Sequence, residues 1–173
     1  MAGKNHSTSP GVWLQIAKKG AAIPSVSYDE AIEIALCFGW IDGKKQTHDE
    51  QFWLQKFTRR SAKSVWSKIN KEKALALIKA GNMKPAGLKQ IESAKTDGRW
   101  DAAYDSASKA TVPSDFQSAL DANARARGFF EALDSRNRYA VLFRIQTVKK
   151  AETRARRIAQ FVQMLERHEK VHP

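Results

Sequence analysis

Basic side chains, hydroxyls and an indole follow one another closely between Arg59 and Asn70. The segment reads Arg-Arg-Ser-Ala-Lys-Ser-Val-Trp-Ser-Lys-Ile-Asn. Guanidinium, ammonium and hydroxyl groups beside a helix N-terminus can receive a phosphate or another anion, and an indole can stack on a planar ligand. The candidate ligand-binding residues of this segment are Arg59, Arg60, Ser64, Trp66, Ser67 and Asn70. The structural alternative is a solvated basic sheet rim, with Trp66 in the core and Asn70 acting only as a helix cap.

Two further candidate binding residues, Trp40 and Asp42, lie in the segment Gly39-Trp-Ile-Asp-Gly43. A carboxylate between aromatic residues could stand at the mouth of a pocket. Asp-Gly is equally a strong turn dipeptide, so the same residues predict a turn or a bulge. An enzyme hypothesis also follows, in which Asp42 acts as the base and Arg59 or Arg60 holds an anionic substrate.

The familiar catalytic and metal-binding patterns do not occur in this sequence. It has no phosphate-binding loop, no dinucleotide glycine fingerprint and no nucleophile elbow. The four histidines are scattered, and a single cysteine cannot complete the usual metal-ligand spacings. We therefore predict no cofactor, no metal and no catalytic residue that can be named from the sequence.

The charge balance points to anionic partners. Thirty Lys and Arg against eighteen Asp and Glu give a formal net charge of +12. Such a charge attracts nucleic acid, anionic lipid or nucleotides, so nonspecific nucleic-acid binding is a second functional hypothesis. The basic run over residues 149–157 could face nucleic acid, but it lies opposite an apolar stripe and is equally an ordinary solvated helix face.

The composition predicts a folded chain in a reducing compartment. Hydrophobic residues make up 42% of the sequence and include five Trp, which is enough to form a core. Cys37 lies in an apolar run, where it is expected to be buried and can form no internal disulfide. The sequence shows neither a secretory signal nor an apolar stretch long enough to cross a membrane. We expect a cytoplasmic protein.

The first hundred residues predict helices and a small sheet. Residues 12–17 fit either a short strand or a helical turn, and we favour the helix. Ser27 is expected to cap a helix that has Asp29 and Glu30 at its second and third positions and ends at Gly39. Two aromatic runs, from Trp40 and over residues 51–58, predict an antiparallel pair, and residues 64–69 are a candidate third strand.

Helices follow this sheet. Asn70 is expected to cap a helix over residues 71–80, and Pro85 and Gly98 bracket another. Periodicity assigns an inward face to three sets of residues: Ala31, Ile34, Ala35 and Phe38; Ala74, Leu75, Leu77 and Ile78; Leu88, Ile91 and Ala94. Four more helices are predicted over residues 113–122, 124–133, 135–145 and 151–168, with Ser135 capping the third.

The predicted fold class is α+β, a small antiparallel sheet with helices followed by an all-helical C-terminal subdomain. The predicted domains are a disordered lead-in over residues 1–9, an α+β unit over 10–98, a linker over 99–112 and a helical tail over 113–170.

Six short segments, spaced in order along the chain, resemble one known family. They are Gly39-Trp-Ile-Asp-Gly43, Phe57-Thr-Arg-Arg60, Ser64-Val-Trp-Ser-Lys-Ile-Asn70, Gly81-Asn-Met-Lys-Pro-Ala-Gly87, Ala94-Lys-Thr-Asp-Gly-Arg-Trp100 and Glu152-Thr-Arg-Ala-Arg-Arg157. Over roughly residues 10 to 170 the chain is similar to the YdeI/OmpD-associated family, also grouped with bacteriocin-protection proteins. The resemblance implies a YjbR/CyaY-like front part and a helical OmpD-associated tail.

The family's names imply a role in envelope stress, resistance to cationic peptides and an outer-membrane porin partner. Because this sequence shows no export signal, we expect an indirect stress role rather than direct contact with a porin. The first functional hypothesis is therefore a non-enzymatic stress or envelope-protection protein. It would bind a small anionic ligand or a protein partner in a groove between the α/β part and the helical tail.

Overall fold

A computed structural model describes residues 9–173. The chain divides into two compact units, one formed by the residues up to Ser64 with Asn70–Asp97 and the other by Val65–Ile69 with Gly98–Pro173. The predicted lead-in over residues 1–9 lies, except for Ser9, outside the described residues. The domain boundaries assigned from the sequence stay predictions.

The first unit contains a three-stranded antiparallel sheet and helices. Its elements are β1 (Val12–Ala17), α1 (Tyr28–Cys37), β2 (Trp40–Thr47), β3 (Phe52–Arg59), α2 (Lys68–Lys79), whose first two residues fall in the second unit, and α3 (Pro85–Thr96). The strand order is β1-β3-β2, so β3 is the central strand. With the helices that follow, this arrangement confirms the predicted α+β fold class.

The third strand of the sheet is β1, and both sequence predictions that bear on it were wrong. Residues 12–17, for which we favoured a helix, pair with β3 from Val12–Phe57 to Ala17–Phe52 without a register shift. Residues 64–69 form no strand; Ser67 makes one isolated bridge to Tyr104, and α2 begins at Lys68. Six apolar-rich residues fit either period, and only pairing with β3 decides between them.

The Asp-Gly dipeptide lies at a β-bulge. The sequence predicts either a turn or bulge here or the mouth of a pocket, and the bulge is the one observed. The register between β2 and β3 shifts between Asp42 and Lys45. The side-chain amide of Gln55, which is only 3% exposed, donates to the carbonyl oxygen of Gly43 at 3.0 Å and to that of Lys56 at 3.1 Å. The buried amide thus supplies donors to carbonyls that the interrupted ladder does not satisfy.

Helix α1 has the predicted start and stop. Ser27 and Glu30 form a reciprocal capping box, and Gly39 follows the helix with a φ of +73°. The inward face includes Ile32 and Leu36, whereas Ile34, predicted inward, is exposed. The same correction applies to Leu75, Ile78 and Leu88, which are exposed, while Ala74, Ile91 and Ala94 are buried as predicted. Short helices bury a narrower stripe than their full set of apolar residues.

Helix α2 begins three residues earlier than predicted. Its first residue, Lys68, donates its backbone N–H to the carbonyl oxygen of Tyr104 at 2.9 Å. Asn70 therefore lies within the helix and is not its N-cap, which corrects the sequence prediction.

The second unit contains the four predicted C-terminal helices. They are α4 (Ser114–Asp121), α5 (Ala124–Ala132), α6 (Ser135–Gln146) and α7 (Ala151–Glu166). Their core includes Phe116 and Phe130, whose rings meet edge to face at 5.3 Å. The N-cap of α6 is Asp134, whose carboxylate accepts from the Asn137 N–H at 2.8 Å, and not the predicted Ser135.

Residues 99–112, the predicted linker, form neither a helix nor a strand; Tyr104 makes a single isolated bridge to Ser67. They nevertheless contribute to the second unit. Trp100 and Ala103 are buried, and the Tyr104 N–H donates to the carbonyl oxygen of Trp66 at 3.0 Å.

Candidate functional site

A basic groove lies within the first unit, where the end of α1, the end of β3 and the start of α3 meet. Its volume is about 650 Å³. The groove is lined by Pro10, Phe38, Gly39, Arg59, Arg60, Ser61, Ala86, Lys89 and Gln90. Three of these residues are cationic and none is acidic, so the groove presents a net positive surface.

The two arginines enter the groove from the C-terminal end of β3. Arg59 is the last residue of the strand and is exposed, whereas Arg60 is only 5% exposed. The Arg60 N–H donates to the carbonyl oxygen of Gly39 at 3.0 Å, which ties the residue after β3 to the end of α1. One guanidinium is thus held inside the protein and the other stands at its surface.

Lys89 and Gln90 enter from the first turns of α3, and glycines set the distance between α3 and α1. A Cβ atom at Gly39 would lie 2.8 Å from the carbonyl oxygen of Ala86 and 2.8 Å from Cγ of Gln90. On the same contact, a Cβ atom at Gly87 would lie 2.5 Å from the carbonyl oxygen of Cys37. Only glycine permits this approach of the two backbones.

Of the residues predicted to bind a ligand, only Arg59 and Arg60 line this groove. Trp40 is buried in β2, opposite Arg59 in the strand register. Asp42 is half-buried on β2, and one of its carboxylate oxygens accepts from the Tyr28 hydroxyl at 2.9 Å. The carboxylate therefore neither caps its own turn nor lines the groove.

Ser64 and Asn70 belong to the first unit but lie outside the groove lining. Ser64 closes a tight turn, because its hydroxyl accepts from the Ser61 N–H at 2.9 Å and its own N–H donates to the Ser61 carbonyl at 3.0 Å. This turn follows the two arginines directly and fixes the position of Ser61 at the groove.

Trp66 and Ser67 belong to the second unit. Trp66 is 2% exposed, and its ring meets that of Trp100 edge to face at 4.9 Å. This placement agrees with the structural alternative for Trp66. Because residues 64–69 are not a strand, the alternation of side chains along a strand does not decide which of them share a face.

Sequence reasoning missed Gly39, Ser61, Lys89 and Gln90 as members of the site. The local sequence predicts Gly39 as a helix stop. Lys89 and Gln90 follow Pro85 by one helical turn, which gives a weak signal that they share a face near the start of α3. Nothing in the local sequence connects them with Arg60, because that proximity depends on the α1–α3 packing.

Among residues 9–173, no group of three or more His, Cys, Asp and Glu side chains could hold a metal ion. Within the same residues, no helix is long and apolar enough to span a membrane. The free thiol of Cys37 is buried, as the sequence predicts, and this burial raises its pKa.

The fold defines the class: a small α+β protein with a three-stranded antiparallel sheet and a run of four C-terminal helices. Residues 3–90 match a domain family of unknown function, DUF8412, and residues 109–168 match the family described as bacteriocin-protection, YdeI or OmpD-associated. The chain belongs to the DUF8412 family, whose model matches its first half, and its helical part is similar to the bacteriocin-protection, YdeI or OmpD-associated family. No curated protein and no solved structure matches the sequence.

The family resemblance is thus confirmed, with a narrower extent than the sequence suggested. The matched OmpD-associated region begins at residue 109, close to the predicted start of the helical tail. The front part matches a separate family, so its likeness to the YjbR/CyaY-like fold stays a prediction.

Proposed function

We propose that this chain is a non-enzymatic protection protein that binds a small anionic ligand in the basic groove of its first unit. The lining of the groove includes Arg59, Arg60 and Lys89 and no acidic residue, and this positive lining supports the proposal. The protection role itself rests on the match to the bacteriocin-protection family.

The chemistry of the three cations favours a compact oxyanion. Arginine presents a planar fork of donors that matches carboxylate and phosphate oxygens, whereas lysine supplies a mobile point charge. Because Arg60 is almost fully buried, its guanidinium loses little side-chain entropy on binding. The exposed Arg59 and Lys89 can then adjust to ligands of different size.

A thermal-shift panel of inorganic phosphate, citrate and a nucleoside triphosphate tests this proposal. A ligand present at 100 times its dissociation constant stabilises the folded state by about 2.7 kcal/mol. We expect at least one of these anions to raise the melting temperature of the wild-type protein. Lys89→Gln should reduce that shift, since it removes one charge from the groove.

The matched control is Lys79→Gln at the end of α2, an exposed lysine outside the groove. It changes the net charge equally and should leave the shift intact. If both variants lost the rise in melting temperature equally, the rise would come from the overall positive charge and not from the groove. If none of the three anions raised the melting temperature, the result would argue against ligand binding in the groove.

The formal charge of +12 favours a second candidate function, nonspecific nucleic-acid binding. Log affinity for duplex DNA should then fall linearly with log salt, by about 0.9 per phosphate neutralised. Titration of a fluorescent duplex and a single strand at two salt concentrations measures this slope. Nonspecific nucleic-acid-binding proteins have dissociation constants of about 1–100 μM at physiological salt, so weaker binding to both nucleic acids would contradict this candidate.

We further propose a cytoplasmic location and an indirect role in envelope stress. Fractionation of cells that produce the full chain at its native level is the direct test. Recovery in the periplasm or with the outer membrane would contradict the proposed location and would favour contact with a porin.

A further inference from the structure

The outer edge of β1 differs from the other edge of the sheet. The strand Val12–Ala17 carries no charge and no proline, and it pairs with β3 without a register shift. The opposite edge strand, β2, carries two lysines and the bulge after Asp42. Charges and bulges protect sheet edges against pairing with another chain, so β2 is protected in a way that β1 is not.

Two serine side chains delimit the exposed part of this edge. The Lys18 N–H donates to the Gln51 carbonyl at 2.7 Å, on the side of β3. Because successive amides alternate along a strand, those of Gly11, Trp13, Gln15 and Ala17 point outward. The Ser9 hydroxyl donates to the Gly11 carbonyl oxygen and accepts from the Gly11 N–H. The Ser25 hydroxyl accepts from the Ala17 N–H at 3.1 Å.

Between these two capped ends lie the outward N–H and C=O groups of Trp13 and Gln15. Among residues 9–173, no strand pairs with this side of β1. Gln15 is exposed, and Trp13 is 43% exposed. The window therefore combines four backbone hydrogen-bonding groups with a large aromatic surface.

We propose that this window is a self-association edge, on which β1 of a second copy pairs antiparallel about a two-fold axis at Leu14. In this register Trp13 faces Gln15 of the second copy, and Gln15 faces its Trp13. The two pairs exchange four hydrogen bonds and use every outward group of the window on both copies. Each Trp13 also covers the aliphatic part of the facing glutamine.

The capping serines and the charges select this register. Pairing about Gln15 would place Trp13 opposite Ala17, whose amide already bonds Ser25. Pairing about Leu14 places Lys18 of one copy opposite Pro10 of the other, so that no like charges face each other. A second copy fits better than an anionic partner, because the strand itself carries no charge. An interface this short predicts weak, reversible association.

Sedimentation equilibrium of the full chain, from about 5 μM to about 500 μM, tests the proposal. We expect the average mass to rise with concentration above the 19.4 kDa of the single chain. Gln15→Pro removes an outward N–H that does not bond β3, and it should weaken association at least about tenfold. Circular dichroism of the variant is the control for its folding.

Thr47→Pro on β2 is the matched control. Trp53 pairs with Ile16 on one side and with Thr47 on the other, so the Thr47 amide points away from β3. This variant should associate like the wild type. A constant mass of 19.4 kDa at all concentrations, or an equal loss of association in both proline variants, overturns the proposal.

Cysteine cross-linking in a Cys37→Ala background tests the register separately. Leu14 faces its own copy as a non-hydrogen-bonded pair with Cα atoms about 4.5 Å apart, which suits a disulfide. The two Gln15 residues would lie about 9 Å apart, beyond disulfide reach. Leu14→Cys should therefore cross-link under mild oxidation and Gln15→Cys should not. Cross-linking of Gln15→Cys as readily as Leu14→Cys, or of neither variant, overturns the proposal.

Discussion

Gly39 and Ala86 approach so closely that a Cβ atom on the glycine would lie 2.8 Å from the alanine carbonyl oxygen. This contact joins the end of α1 to the start of α3 and forms one wall of the basic groove. The same glycine has a φ of +73°, where other residues are strained. Its small size and its backbone freedom are both required at this position.

Gly39→Ala should lower the free energy of unfolding by at least about 2 kcal/mol, because strain and a backbone clash add. Gly81→Ala is the control: Gly81 has a similar φ of +71°, but beyond its chain neighbours no atom of residues 9–173 lies within 4 Å of the added Cβ. Its cost should be only about 1 kcal/mol, from the left-handed backbone alone. Chemical denaturation of both variants measures the difference, and equal costs would show that the α1–α3 approach tolerates a methyl group.

Trp66→Ala should destabilise the protein by about 3–5 kcal/mol, because the side chain is 2% exposed and packs against Trp100. Trp13→Ala makes the same chemical change at a side chain that is 43% exposed, and should cost much less. Thermal melts at low protein concentration compare the two without self-association. An unchanged melting temperature for Trp66→Ala would contradict its role in the core and would favour the hypothesis that Trp66 lines an open ligand pocket.

Gln55→Leu should destabilise the protein by about 1–2 kcal/mol, because it removes the amide donor from the carbonyls of Gly43 and Lys56. Gln46→Leu, at an exposed position of β2, should change the free energy of unfolding by less than about 0.5 kcal/mol. Urea denaturation is the measurement. If the two variants were equally stable, water would be an adequate donor for the bulge.

The ion pair between Asp115 and Arg154 should contribute stability that depends on pH. The guanidinium donates to both carboxylate oxygens, at 2.6 and 2.9 Å, and these hydrogen bonds lower the pKa of Asp115. A lowered folded-state pKa gives stabilisation that is present above the unfolded pKa, about 3.9, and is lost as the pH falls through the folded-state value. Because the Asp115 side chain is 46% exposed, we expect only about 0.5–1 kcal/mol.

Asp115→Asn should therefore be less stable than the wild type at pH 7, and the difference should disappear in strong acid. Asp101→Asn, at an exposed position, is the control for the loss of a carboxylate. Urea midpoints at several pH values between about 2 and 7 measure the effect. A difference that persisted unchanged at the lowest pH would assign the loss to packing instead of charge.

The sequence by itself determined the elements whose signals are local. Ser27 with Glu30 fixed the start of α1, the aromatic runs gave the β2–β3 pair, and periodicity gave the four C-terminal helices. Each of these signals depends on neighbours within a turn or a strand, so it can be recognised without the rest of the molecule. Arg59 and Arg60 were found in the same way, as a short basic segment.

Tertiary structure decided everything that depends on contacts between distant residues. β1 is a strand because β3 lies beside it, and residues 64–69 are not a strand because no partner pairs with them as a ladder. The basic groove exists because Gly39 and Gly87 let α3 approach α1, which brings Lys89 to the arginines. Arg60 and Trp66 are buried, whereas Arg59 and Trp13 are exposed, although each pair consists of identical side chains. Long-range packing sets burial and pairing, and no local pattern of residue types specifies it.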